Sequence, residues 1–101
     1  MGIEVGDVVV DNYGNEGLVV REEARPPAGW LRSQRDTRVM RLGLDERWLG
    51  VMPFTGGLVV APASLCARLR AAERDDVVRA AARANRAALE ALSELFPAWV
   101  P

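Results

Sequence analysis

Histidine and lysine are absent from this chain of 101 residues, and cysteine occurs once, at Cys66. Histidine is the usual general base, the usual activator of a nucleophile and the commonest metal ligand in proteins. With no histidine and one cysteine, a zinc site of the ordinary kind is excluded. Ser64 has no Gly-x-Ser-x-Gly context and no histidine to activate it. We therefore expect a protein that is not an enzyme, with no catalytic residue, no metal, no cofactor and no small-molecule substrate.

Long apolar runs are also absent. No stretch approaches the roughly 20 apolar residues that span a bilayer, and the N-terminus has neither a basic region nor an apolar leader. A single cysteine forms no intrachain disulfide, which fits a reducing compartment. The sequence therefore predicts a soluble cytoplasmic protein without a membrane partner.

The net charge is −1, but the charges are unevenly distributed. Residues 1–23 carry six carboxylates against one arginine, whereas residues 30–48 carry five arginines against three carboxylates. The chain is dipolar rather than basic, and this weakens a general nucleic-acid function based on phosphate neutralisation.

The first part of the chain, residues 1–62, has the pattern of a small β domain. β-branched and aromatic residues alternate with turn residues, and the consecutive prolines Pro26 and Pro27 predict a loop over 25–29. Five strands are predicted, at 7–11, 18–23, 37–42, 48–54 and 58–61. Short strands with short turns predict a mainly β fold, a small five-stranded antiparallel barrel, because barrel closure limits exposed edges.

Residues 63–101 are predicted to form a helical C-terminal segment. Ser64 is suited to cap a first helix over about 65–72, and Asp75 and Asp76 suit the start of a second helix that runs to about 95. An apolar stripe at spacings of three and four is expected along the second helix. Its members are Val78, Ala81 or Ala82, Asn85, Leu89, Leu92 and Phe96.

The first hairpin carries a recognisable glycine and valine pattern, Gly6-Asp7-x-Val9 followed by Gly14-x-x-Gly17-x-Val19. This pattern resembles the opening of SH3-like barrels of the KOW type, and of the Tudor-like modules with which some transcription-repair proteins contact RNA polymerase. The resemblance implies a later hairpin over 51–62, a short turn over 63–65 that closes the barrel, and an interaction module. Asp11 and Glu16 make the hairpin acidic, which argues against phosphate contact there.

A second candidate feature is the series Arg32, Arg35, Arg38 and Arg41, which lies between Trp30 and Trp48. Basic side chains beside aromatic rings suit single-stranded nucleic acid. However, a spacing of three is not a strand period, so a strand over 37–42 would direct its two arginines to opposite faces. Both a solvated, partly paired surface and a contact surface stay open. The two tryptophans fit either the core or a ligand platform, which Tyr13 could join.

The alanine-rich C-terminal helix is the best candidate for partner contact. Seven alanines at positions 80–91 allow close approach of another helix, and Asn85 interrupts the stripe where a polar group fixes register. The alternative is that the stripe packs across the chain's own barrel.

The sequence thus predicts a non-enzymatic protein-interaction module, an accessory or regulatory subunit that self-associates through its C-terminal helix. The alternative is a nucleic-acid-binding or transcription- or translation-associated module that uses residues 30–48. The predicted partner-binding residues are Trp30, Arg32, Arg35, Arg38, Arg41, Trp48, Asn85, Leu89, Leu92 and Phe96.

Overall fold

The computed structural model describes residues 2–100 and contains one five-stranded antiparallel sheet followed by two helices. The strands are β1 (Asp7–Val10), β2 (Glu16–Glu23), β3 (Trp48–Pro53), β4 (Val59–Pro62) and β5 (Ala67–Ala71). The helices are α1 (Ala28–Ser33), α2 (Arg74–Ala82) and α3 (Arg86–Leu95), with short 3₁₀ helices at Thr37–Arg41 and Ala63–Leu65. The strand order is β4-β3-β2-β1-β5. The predicted mainly β fold with C-terminal helices is confirmed, whereas closure of the sheet into a barrel stays a prediction.

The β1–β2 hairpin forms as its sequence predicts, because its turn is held by one side chain. The Asp11 carboxylate accepts hydrogen bonds from the backbone N–H groups of Tyr13, at 2.8 Å, and Asn15, at 2.9 Å. Gly14 has a φ of +84°, which glycine adopts without the steric penalty of a side chain.

Alternate residues of the strands supply two apolar layers. On one face Val9, Val19, Leu49, Val51 and Ala61 pack together with Ile3. The opposite face is formed by Val8, Leu18, Val20 and Met52. The helices α2 and α3 cover that second face with Val77, Ala80, Ala88 and Leu92. Both faces of the sheet centre are therefore buried, one of them by the C-terminal helices.

The predicted strand over 37–42 is wrong, since Thr37–Arg41 is a 3₁₀ helix. The Asp36 side chain caps it by accepting from the backbone N–H of Arg38 at 3.1 Å. Residues three apart share one face of a 3₁₀ helix. Val39 and Leu42 therefore pack inward beside Trp48, while Arg38 and Arg41 are exposed. The loop predicted over 25–29 is shorter than expected, because α1 already begins at Ala28.

The helix predicted over 65–72 is also wrong. This segment is β5, which pairs with β1 so that Val9 lies opposite Arg68 and Val8 opposite Arg70. Alanine, leucine and arginine favour helices, but hydrogen bonding to the open edge of β1 outweighs so weak a local preference. The sheet therefore extends beyond residue 62, and the predicted boundary between 1–62 and 63–101 lies too early.

The C-terminal segment is two helices rather than one continuous helix from 76 to 95. The chain turns at residues 83–85, and the Asn85 side chain caps α3 by accepting from the backbone N–H of Ala88 at 2.9 Å. In α2 the buried valine is Val77, whereas Val78, which the predicted stripe included, is 46 % exposed. None of the helices within residues 2–100 has the length and apolarity that crossing a bilayer requires.

Candidate functional site

A groove of about 350 Å³ runs between the β1–β2 turn, α1 and the outer edge of β4. Three consecutive residues of β4, preceded by Leu58, line it. Since neighbouring side chains in a strand point to opposite faces, the groove follows the edge of the strand. The lining residues are Asp11, Asn12, Tyr13, Asn15, Trp30, Gln34, Leu58, Val59, Val60 and Ala61.

Tyr13 and Trp30 form the aromatic wall of the groove, and hydrogen bonds hold Tyr13 in place. The Tyr13 hydroxyl donates to the Gln34 side-chain oxygen at 3.1 Å and accepts from the Asp36 backbone N–H at 3.2 Å. The Asn12 side chain donates to the Asp36 carboxylate at 3.0 Å. These bonds tie the β1–β2 turn to the segment between β2 and β3, so the groove is preformed.

The two predicted tryptophans have different positions. Trp48 is only 2 % exposed and belongs to the core with Leu31 and Val39. Trp30 lies edge-on to it, with ring centroids 6.0 Å apart, and is half-buried where it lines the groove. The prediction of an aromatic contact surface therefore applies to Trp30 and the partly exposed Tyr13.

The edge of β4 contributes backbone groups to the groove. The Ala63 N–H donates to the Arg47 carbonyl at 2.9 Å, and hydrogen-bonded pairs in an antiparallel ladder recur at every second position. By this alternation Val60, which lies opposite Gly50, directs its N–H and carbonyl away from β3. Within residues 2–100 no backbone group of another strand or loop bonds to this side of Val60. Pro62 is the next such position and has no N–H to donate.

The four predicted arginines are all exposed, but they have different surroundings. The Arg35 guanidinium lies over the Tyr13 ring, 5.1 Å from its centroid. Arg38 binds the Asp36 carboxylate with two side-chain hydrogen bonds of 2.8 Å, which hold the pKa of Asp36 well below its usual range and raise the pKa of Arg38. Among the ion pairs of residues 2–100, none involves Arg32, Arg35 or Arg41.

The four predicted C-terminal contact residues do not form one exposed face. Leu92 is fully buried against the sheet, Asn85 caps α3, and Phe96 stacks on Trp99 with centroids 5.2 Å apart. Leu89 is half-buried on another side of α3, in a shallow depression with charged neighbours. Leu92 therefore packs on the chain's own sheet, as the alternative interpretation expects, whereas Val78, Asn85 and Leu89 of the predicted stripe lie outside that layer.

A second depression of about 470 Å³ lies beside Cys66. Four of its polar side chains already have partners, since Ser64 is hydrogen-bonded to Glu46, Arg68 to Asp7 and Arg47 to Glu22. Burial, the nearby charge of Asp11 and that of Glu46 together raise the pKa of the Cys66 thiol to about 11. Within the described residues 2–100, no three histidine, cysteine or acidic side chains gather where they could hold a metal ion.

We expect Cys66 to react slowly with iodoacetamide at pH 8. A pKa of about 11 in place of the ordinary 9.0 lowers the thiolate population about 100-fold at any pH below both values. A thiolate of higher pKa is more nucleophilic, which offsets part of this factor, so alkylation of the native chain, followed by mass spectrometry, should be roughly tenfold slower than in the urea-unfolded chain. The rate should rise with pH up to about 11.

A matched control moves the thiol to the surface in a Cys66→Ser chain that carries Ser33→Cys, since Ser33 is exposed. That variant should react at nearly equal rates when folded and unfolded. Equal rates for Cys66 in the two states would contradict the raised pKa.

Comparisons of the chain with protein-family models, curated proteins and solved structures find no match. Sequence reasoning anticipated Trp30, Tyr13 and Arg35, but it missed Gln34 and the edge of β4. Tertiary structure alone brings these residues together, because they lie on three separate elements. The one usable signal was Pro62, which is typical of an edge strand.

Proposed function

We propose that the protein is a non-enzymatic protein-interaction module that binds an extended segment of a partner protein along the groove. The observation that carries this proposal is the position of Tyr13 and Trp30 opposite the open edge of β4. Aromatic side chains provide large apolar contact area, and a strand edge provides backbone hydrogen bonds. Together they suit an extended chain, which presents backbone groups and alternating side chains.

The two walls have complementary roles in this proposal. The partner's backbone pairs with the N–H and carbonyl of Val60, and one of its apolar side chains packs between Val60 and Trp30. Pro62 has no N–H to donate, so the partner segment pairs with the edge of β4 over only a few residues. Because the hydrogen bonds around Tyr13 hold the aromatic wall before binding, little ordering opposes association.

The small groove implies a weak and reversible complex. A volume of about 350 Å³ accommodates a few side chains, so the buried area falls well below that of standard stable interfaces. We expect dissociation constants in the micromolar range, which suit an accessory or regulatory subunit.

The test is selection of a display library of random twelve-residue peptides on the full chain, followed by fluorescence anisotropy with one enriched peptide. Trp30→Ala should weaken binding about 30-fold, because truncating a central aromatic anchor typically removes 2 kcal/mol or more. Tyr13→Ala should weaken it similarly, and thermal unfolding verifies that each variant is folded at the assay temperature.

Leu44→Ala is the matched control, since Leu44 is a large apolar residue that is 89 % exposed and lies outside the groove. Its substitution should leave peptide binding unchanged. Failure to enrich any peptide, or equal losses for Leu44→Ala and Trp30→Ala, would overturn the proposal.

Nucleic-acid binding by residues 30–48 is the second candidate function. It is favoured by one observation, that Arg38 and Arg41 share the exposed face of a 3₁₀ helix. The burial of Trp48 removes one of the expected stacking platforms. Binding of labelled single-stranded RNA or DNA that falls steeply between 50 and 200 mM salt would support this candidate.

A further inference from the structure

An arginine without an acidic partner among the described residues lies beside the groove, over the ring of Tyr13, which lines the groove. Arg35 is exposed and stacks over Tyr13, and it forms no ion pair with any carboxylate of residues 2–100. Stacking orders the guanidinium, so its donors are positioned beside the groove rather than freely rotating in solvent. A ligand that reaches Tyr13 therefore meets a positioned cation.

The carboxylates near the groove are already engaged by the protein. Asp11 is 7 % exposed and accepts from the backbone N–H groups of Tyr13 and Asn15. Asp36 is held by two side-chain hydrogen bonds from Arg38. Asp36 is neutralised by Arg38, whereas Asp11 keeps its charge but is nearly buried and bonded to its own turn. Arg35 is therefore the exposed charge that a ligand meets beside Tyr13.

We infer that the segment bound by the groove is an acidic one, in which an aspartate or glutamate lies beside an apolar residue in an extended chain. This inference rests on the proposed function. The carboxylate pairs with Arg35, and the apolar side chain packs on Trp30 and Val60. A guanidinium presents a planar fork of donors that matches a carboxylate in two simultaneous hydrogen bonds.

An acidic peptide fits these observations better than a nucleic acid does. Tight phosphate binding requires several arginines acting on successive phosphates. Within residues 2–100, Arg35 is the one arginine that stacks on Tyr13, while Arg38 is bound to Asp36. The opposite wall is the edge of β4, an apolar strand whose open backbone positions match a peptide chain.

The experiment uses an enriched peptide in three forms, with its acidic residues retained, changed to glutamine or changed to lysine. Anisotropy with the full chain should give binding about fivefold weaker for the glutamine form and weaker still for the lysine form. Arg35→Gln should weaken the acidic form to the level of the glutamine form and leave binding of the glutamine form unchanged. Arg35→Glu combined with the lysine form should restore part of the loss, which a purely structural role for Arg35 would not produce.

Arg41→Gln is the matched control, because Arg41 is exposed and lies in the same segment between β2 and β3 but, unlike Arg35, does not stack on a residue that lines the groove. It should leave the preference for acidic peptides unchanged. If peptides bind at the groove with no preference among the three forms, the acidic assignment fails and the proposed function stands. If no peptide binds, the proposed function itself fails. Tighter, Arg35-dependent binding of a twelve-nucleotide uridine oligomer would replace the peptide with a nucleic acid.

Discussion

Gly17→Ala should destabilise the fold by about 3 kcal/mol, because overpacking a buried site of the sheet forces its backbone to move. A Cβ atom at Gly17 would lie 2.6 Å from the Met52 carbonyl oxygen and 2.9 Å from the Pro53 Cα. These are backbone atoms of the neighbouring strand, so no side-chain rotation relieves the clash. Urea unfolding followed by tryptophan fluorescence measures the change, since Trp48 is buried in the native chain.

Gly29→Ala is the control for this prediction. Gly29 lies in α1, has an ordinary backbone conformation, and a Cβ there would meet no atom within 4 Å. Alanine should therefore stabilise the chain by about 0.5 kcal/mol, because it reduces the freedom of the unfolded state. Equal losses at Gly17 and Gly29 would show that β2 and β3 approach each other less closely than the structure describes.

Leu92→Ala should destabilise the chain by about 3 kcal/mol, the middle of the range for truncating a fully buried leucine. Leu92 is fully buried in the layer between α3 and the sheet, together with Val77 and Met52. Shortening its isobutyl side chain to a methyl group leaves a cavity between α3 and the sheet. Thermal unfolding and urea unfolding both report this loss.

Leu89→Ala separates packing within one chain from packing between chains. Leu89 is half-buried on α3 but lies outside that layer, so its truncation should change the free energy of unfolding by less than about 1 kcal/mol. Light scattering should give a monomer, and the unfolding midpoint should not depend on protein concentration. A concentration-dependent midpoint, with Leu89→Ala more damaging than Leu92→Ala, would instead support the predicted self-association through α3.

Local patterns predicted those elements whose stability comes from neighbouring residues. The β1–β2 hairpin follows from alternating valines and from Asp11, which bonds to the turn that it begins. The hairpin between β3 and β4 follows from Gly56 and Gly57, both of which have positive φ. Each of these elements closes over a few residues, so no distant contact is needed to select it.

The predictions for segments 37–42 and 65–72 were wrong because contacts with residues distant in sequence determine their secondary structure. In the first, Asp36 bonds both to Arg38 and to Asn12 on the β1–β2 turn, and this favours a capped 3₁₀ helix over a strand. In segment 65–72, residues that on their own favour a helix pair with the edge of β1 and form a strand. The spacing of three residues between Arg38 and Arg41, which fits no strand, is the period of the 3₁₀ helix that forms.

In the candidate site, too, some features follow from the local sequence and others depend on tertiary packing. Composition and spacing indicated that residues 30–48 contain contact residues, but they did not separate half-buried Trp30 from buried Trp48. They also did not show that Arg38 is bound by Asp36 while Arg35 stays unpaired among the described residues, nor that the edge of β4 faces the aromatic wall. Each of these facts depends on how separate elements pack.

By itself, therefore, the sequence determined the mainly β character of the chain, its first hairpin, the presence of C-terminal helices and the lack of histidine chemistry. Hydrophobic periodicity and turn residues act over a few positions, so they can be recognised in the sequence without knowledge of the fold. Only the tertiary structure decided that Leu92 packs inward, that residues 67–71 form a strand and that Tyr13, Trp30 and Val60 share one groove. Burial and edge pairing are properties of surfaces that meet only after folding, so no local pattern specifies them.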